Sequence, residues 1–189
     1  MCSQDIRKQV LTLAWPAVLQ GLLSTIILFT DRLILGQYSD AALGSMQVGG
    51  PIMWSIFSLF GAYGSGVLAI IGRSIGAKDK EKAAQTFGTA IGIALILGSI
   101  IAAIGYLLAP SLTMLMLGQR ATESQIGPMA TTYLQIVLLG GPMLMLGSVT
   151  HVAFQASGDT KTPMWLTMIS GLVNLCVSWV LVFGVFGFP

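Results

Sequence analysis

Polar and apolar positions along this chain are sorted into blocks rather than interspersed. Charged residues fall in short clusters. Between them lie five uncharged stretches, Val10–Thr30, Ala41–Gly72, Ala83–Gln119, Ser124–Gly158 and Thr162–Pro189, of 21, 32, 37, 35 and 28 residues. A helix of about 20 apolar residues crosses the hydrocarbon core of a bilayer, so each stretch is long enough to span once. The alternating segments of about ten residues that mark an outer-membrane barrel are absent. The pattern predicts an all-α, polytopic membrane protein with about five transmembrane helices, at roughly 10–35, 45–72, 84–108, 128–156 and 163–186.

Composition sharpens this picture. Of 189 residues, 54% are hydrophobic and 8% charged, against roughly 25% charged in an average soluble domain. So few charges cannot cover a globular surface. Arg7 and Lys8 precede the first apolar run as they would in a signal peptide. That run is too long for a signal core, however, and no small-residue cleavage site follows, so it reads as an uncleaved first helix. Cys2 and Cys176 offer neither a disulfide framework nor a metal-ligand spacing. The basic residues sit in loops at helix ends, and the net charge of +2 makes no case for nucleic acid.

Their distribution sets an expected orientation. Arg7, Lys8, Arg73, Lys78, Lys80, Lys82 and Lys161 fall on one side, and only Arg32 and Arg120 on the other. Positive residues accumulate on the cytoplasmic side. The N-terminus is therefore expected to be cytoplasmic and the chain to reside in the plasma (inner) membrane.

Proline and glycine predict interruptions at Pro16, at Gly49-Gly50-Pro51 and at Gly140-Gly141-Pro142, because proline removes a backbone hydrogen bond and kinks a helix. Packing is the competing reading of the glycines, since small residues let helices approach closely. The third stretch continues past Ala109–Pro110, which predicts that "SLTMLML" (111–117) is a short piece lying at the outer interface. In "QASGDTKTPM", Gly158 is expected to end a helix, Thr162 to cap the next and Pro163 to occupy its first turn.

Asp31 stands out as a candidate for chemistry. An aspartate at a helix centre costs about 2.5 to 3.5 kcal/mol on insertion scales, and each Leu or Ile returns only about 0.3 to 0.6. An interfacial ion pair with Arg32 is the structural alternative, but adjacent helical residues point about 100° apart. Arg32 can extend its head group to the interface, and a short Asp cannot. In the last stretch, Thr167, Gly171, Asn174 and Ser178 are spaced 4, 3 and 4, which puts them on one helix face. That face must meet protein or water, because lipid cannot satisfy it. It reads either as interhelical hydrogen bonding or as a cavity lining. His151 and Gln155, four residues apart, are further candidates to line a cavity; a satisfied interior histidine is the competing reading of His151. Tyr106 and Tyr133 read as interfacial anchors. No nucleophile elbow, metal cluster, phosphate loop or second intramembrane carboxylate occurs in the sequence, which argues against an enzyme.

Several segments, "LAWPAVLQ…FTDRLILG", "GRSIGAKDKEKA", "TYLQIVLLGGPM", "QASGDTKTPM" and "GLVNLCVSWVLVFG", resemble in order and spacing the N-terminal half of multidrug and toxic compound extrusion (MATE) transporters, over about residues 5 to 187. The resemblance implies two six-helix lobes that alternately open a central cavity. Residues 1–189 would then form the N-terminal lobe, without its sixth helix and without the C-terminal lobe that would be its partner. It further implies export of cationic, amphipathic small molecules across the bilayer in exchange for H⁺ or Na⁺, with no other cofactor. Asp31 falls at the family's first-helix carboxylate, and Asn174 at its fifth-helix asparagine, the pair expected to couple the ion. Where members carry Asn or Asp four residues further on, this chain has Ser178, so the coupling ion stays open. Two rival readings are a flippase of lipid-linked saccharides from the same superfamily and a non-transporting membrane assembly subunit.

Overall fold

A computed structural model describes residues 3–118 and 125–183, and every regular element within them is helical. The helices are α1 (Ser3–Tyr38), α2 (Asp40–Gly76), α3 (Lys80–Leu117), α4 (Ile126–Leu139), α5 (Gly141–Ala156) and α6 (Lys161–Val182). Cys2, Arg120 and the last residues of the fifth expected span lie outside the described residues, as do the side chains of Arg7 and Lys8. Four helices are long and apolar enough to cross a membrane, and α4 with α5 makes a fifth candidate bent by 51°.

Short polar residues punctuate the chain between helices. Ser39 accepts a hydrogen bond from the Ala41 amide at 3.2 Å to open α2. Asp79 accepts one from the Lys82 amide at 3.0 Å to open α3. Each satisfies an amide that a helix start would otherwise leave unpaired. Gly158 has φ of 80°, a left-handed conformation that a side chain resists, and it ends α5 as expected. The cap of α6 differs from expectation. Thr162 does not cap it; the Asp159 carboxylate does, accepting from the amides of Lys161 at 3.1 Å and Thr162 at 3.0 Å. A carboxylate two or three residues ahead reaches those amides, whereas Thr162 is already inside the helix.

The chain forms two compact units, one of α1 and α6 and one of α2 to α5. In the first, Gln20 meets Thr167 and Asp31 meets Ser178, both pairs 147 residues apart in sequence. Equal separations at two levels require α1 and α6 to run parallel. Parallel first and last helices leave an odd number of crossings between them. If α2 and α3 each cross once, α4 and α5 together make one broken span, giving five candidate spans among the described residues.

The packing of the second unit gives the same answer independently. Leu134 and Leu138 of α4 pack with Met53 and Ala109, at one end of the α2–α3 pair. Met145 and Val149 of α5 pack with Phe60, Val67, Ile71, Ala90 and Ala94, toward the other end. The bent pair therefore travels the length of α2 and α3 rather than turning back.

Only one of the expected interruptions breaks a helix. At Gly140–Gly141 the chain turns between α4 and α5. At Gly49 the packing reading prevails: α2 is continuous, and a Cβ there would come within 2.7 Å of the Tyr133 ring. Helix α1 likewise continues through Pro16. The expected interfacial piece at 111–117 is instead the last two turns of α3, which continues through Pro110. Proline frees the carbonyl four residues back, here that of Tyr106, and the Gln135 side-chain amide donates to it at 3.5 Å. The buried Thr113 hydroxyl donates to the Ala109 carbonyl at 2.9 Å in the same turn. With those groups satisfied, nothing forces the helix to stop.

Candidate functional site

The α1–α6 unit brings three of the sequence candidates together. The Ser178 hydroxyl donates to Oδ1 of Asp31 at 3.4 Å, and the Asn174 side chain reaches the same carboxylate. Asn174 and Ser178 are one turn apart on α6, so both can address a single residue of α1. Arg32 follows Asp31 in the chain but is exposed and points to another azimuth.

Thr167 belongs to the same seam at a different level. It receives a hydrogen bond from Gln20 Nε2 at 3.1 Å. Eleven residues, about three helical turns, separate Gln20 from Asp31 and Thr167 from Ser178, so the two polar contacts lie on the same faces roughly 16 Å apart. Gln20 is the residue that sequence reasoning passed over. Its signal was available, because a long amide side chain three turns before the aspartate shares its face. Between the two levels the helices touch closely: a Cβ at Gly171 would overlap the Ile27 side chain. Gly171 thus serves packing, not polarity.

Beside the Asp31 cluster lies a cavity of about 140 Å³. Ile26, Ile27 and Thr30 line it from α1, and Gly171 and Asn174 from α6. Its wall is nearly all apolar, with Asn174 at the edge that adjoins the carboxylate. Such an arrangement can hold one small cation at the acid and an apolar group next to it. His151 and Gln155 lie on α5 in the other unit, His151 partly buried and Gln155 exposed. Among the described residues, no group of three His, Cys, Asp or Glu side chains could hold a metal ion.

Fold and site together define a polytopic helical membrane protein with one carboxylate held by neutral oxygen and amide groups inside a helix pair. The MatE family model matches residues 16–180, and the chain belongs to that family. It is 27% identical over 185 residues to "Probable multidrug resistance protein NorM" of Thermotoga maritima, covering 98% of this chain and 39% of the relative. It is 26% identical over 191 residues to a FAD transporter of Shewanella oneidensis, covering 100% of this chain and 41% of that protein. A solved MOP superfamily transporter from Pyrococcus furiosus shares the fold, with a TM-score of 0.86 at 21% identity, over 96% of this chain and 39% of that one. The chain spans about two fifths of the length of these relatives. The relatives carry transporter names, not enzyme names.

Proposed function

We propose that this chain supplies one lobe of a secondary active exporter that expels cationic, amphipathic compounds from the cytoplasm in exchange for H⁺ or Na⁺. The observation that carries this reading is the Asp31 carboxylate, met by Ser178 at 3.4 Å and by Asn174 inside a membrane-spanning helix pair. An intramembrane acid is costly and is retained where it binds an ion or proton. Ionised Asp31 attracts a cationic substrate, whose apolar part the adjoining cavity accepts. Binding of H⁺ or Na⁺ at the same carboxylate neutralises it and releases that substrate. One site that holds either partner but not both is sufficient for exchange, once a second lobe completes a cavity that opens alternately to the two sides.

The likeness to a FAD transporter suggests an anionic cargo instead. A lone carboxylate beside an apolar cavity disfavours it, as it disfavours a lipid-linked saccharide flippase, because both cargoes call for basic residues. The test uses the complete two-lobe transporter in vesicles with an imposed pH or sodium gradient. Export of a lipophilic cation should require Asp31 and one of the two gradients, and export of a flavin nucleotide with Asn at position 31 would overturn the reading. The cytoplasmic N-terminus is tested separately. Asp79→Cys should react with an impermeant thiol reagent only from the cytoplasmic side, and reaction from outside would reverse the orientation.

A further inference from the structure

We infer that the groove between α2 and α3 seats an anionic phospholipid, with its phosphate at Lys82 and an acyl chain laid along α3. The groove has a volume of about 700 Å³. It exists because side chains are missing: Ala62, Gly66 and Ala90 line it, and a Cβ at Gly66 would meet nothing within 4 Å. Tyr63 crosses it and donates from its hydroxyl to the Ala90 carbonyl at 3.0 Å, which holds the two helices at that spacing.

The chemistry along its length changes in the order of a lipid. On the α3 side Lys82, Gln85, Thr86 and Thr89 line the groove from the α2–α3 turn inward and Ile93 follows, while Ile70 faces the polar residues from α2. At 100° per residue, positions 82, 85, 86 and 89 share one face of α3. The same face continues through Ile93, Ile96, Ile100, Ile104 and Leu107, all exposed. These span 14 residues from Ile93, about 21 Å of helix, which exceeds half of a hydrocarbon core about 30 Å thick. About two turns of cationic and hydrogen-bonding groups thus lead into a bulky aliphatic track. A protein-facing wall of a transport cavity would carry polar groups further along.

Charge decides for an anionic headgroup. Arg73, Lys78, Lys80 and Lys82 surround this turn, against Asp79 and Glu81. Asp79 is occupied in capping α3, and Glu81 accepts from the Gln85 side chain at 3.4 Å. Basic pockets between membrane helices bind acidic lipid headgroups in this way.

Native mass spectrometry of the purified protein, titrated with phosphatidylglycerol or phosphatidylcholine, tests the site. Phosphatidylglycerol should be retained at least about tenfold more strongly, a difference of about 1.4 kcal/mol. Lys82→Ala with Thr89→Val should abolish the preference, and Lys78→Ala with Lys80→Ala, which removes more charge outside the groove, should leave most of it. Gly66→Phe fills the groove without changing charge and should also reduce retention; circular dichroism checks that each variant stays helical. Equal retention of both lipids would overturn the proposal. So would a loop-lysine pair that matters as much as Lys82, an indifferent Gly66→Phe, or displacement by millimolar inorganic phosphate.

Discussion

Helices α1 and α2 are equally apolar, with a mean hydropathy of 1.6 in their most apolar windows, yet 6% of that window is buried in α1 and 22% in α2. The two units that contain them cohere by different means. In the four-helix unit, Phe60, Leu134, Leu138, Met145 and Val149 are almost completely buried, and backbones approach at glycine. In the α1–α6 pair, side-chain hydrogen bonds at Gln20 and Asp31 and the Gly171–Ile27 contact join helices that expose most of their surface. Dense packing suits a scaffold, since a close-packed interior resists any change of shape. A polar seam suits binding and release, because its partners can be exchanged for an ion. The costly acid sits in the loosely packed pair, where a ligand can reach it.

The largest effect is expected at that acid. Asp31→Asn keeps the shape and removes the charge, so gradient-driven export by the complete transporter should fall to the level of protein-free vesicles while expression and folding persist. Asp31→Glu should retain part of the activity. Undiminished export with Asn would make the seam as structural as the scaffold and erase the contrast between the two units.

The scaffold should respond to volume instead. A Cβ at Gly98 would lie 2.7 Å from the Cα of Pro142, on backbone that cannot move aside. Gly98→Leu is therefore expected to cost about 1–3 kcal/mol by overpacking, read as a lowered melting temperature in detergent. Gly92, with open space around its Cβ, provides the control: Gly92→Ala should stabilise α3 by about 0.5–1 kcal/mol. Equal behaviour of the two variants would refute the tight crossing at the α4–α5 break.

Within the seam, Ser178→Ala removes one hydrogen bond, worth about 0.6 kcal/mol for an average interhelical contact. It should alter the apparent ion affinity by roughly threefold and leave export running. Gln20→Leu is expected to change stability by a similar amount without changing ion affinity, since its contact lies three turns from the carboxylate. A Gln20 variant that shifts ion affinity as much as Ser178→Ala would join the two levels into one site.

The smallest effect belongs to the turn that opens α6. Hydrogen bonds from the Thr162 hydroxyl and amide hold the Asp159 carboxyl below the ordinary carboxylate range. A lowered folded-state pKa gives a contribution that is complete above the unfolded value, about 3.9, and is lost as pH falls through the folded value. Asp159→Ala should thus lower the melting temperature slightly at neutral pH, and the gap from the parent should close only in strong acid. A gap that closes already near pH 6 would argue against that cap.

Block patterning of charge was enough to read an all-helical membrane protein of about five spans and to single out the acid in its first helix, because a bilayer penalises every unpaired polar group and leaves few alternatives. The spacing of Asn174 and Ser178 placed them on one face for the same reason of helical geometry. Which helix that face would meet was a matter of tertiary structure: the parallel register of α1 and α6 brings Asp31 to Ser178 and Gln20 to Thr167 across 147 residues. Tertiary contacts also sorted the proline and glycine signals. Gly49 and Gly98 are crossing points, Gly140–Gly141 is a true break, and Pro110 sits in a continuous helix because Gln135 comes from α4 to take the carbonyl it frees. Composition can set the cost of leaving a backbone group unpaired, but only the neighbouring helix decides whether a partner is there.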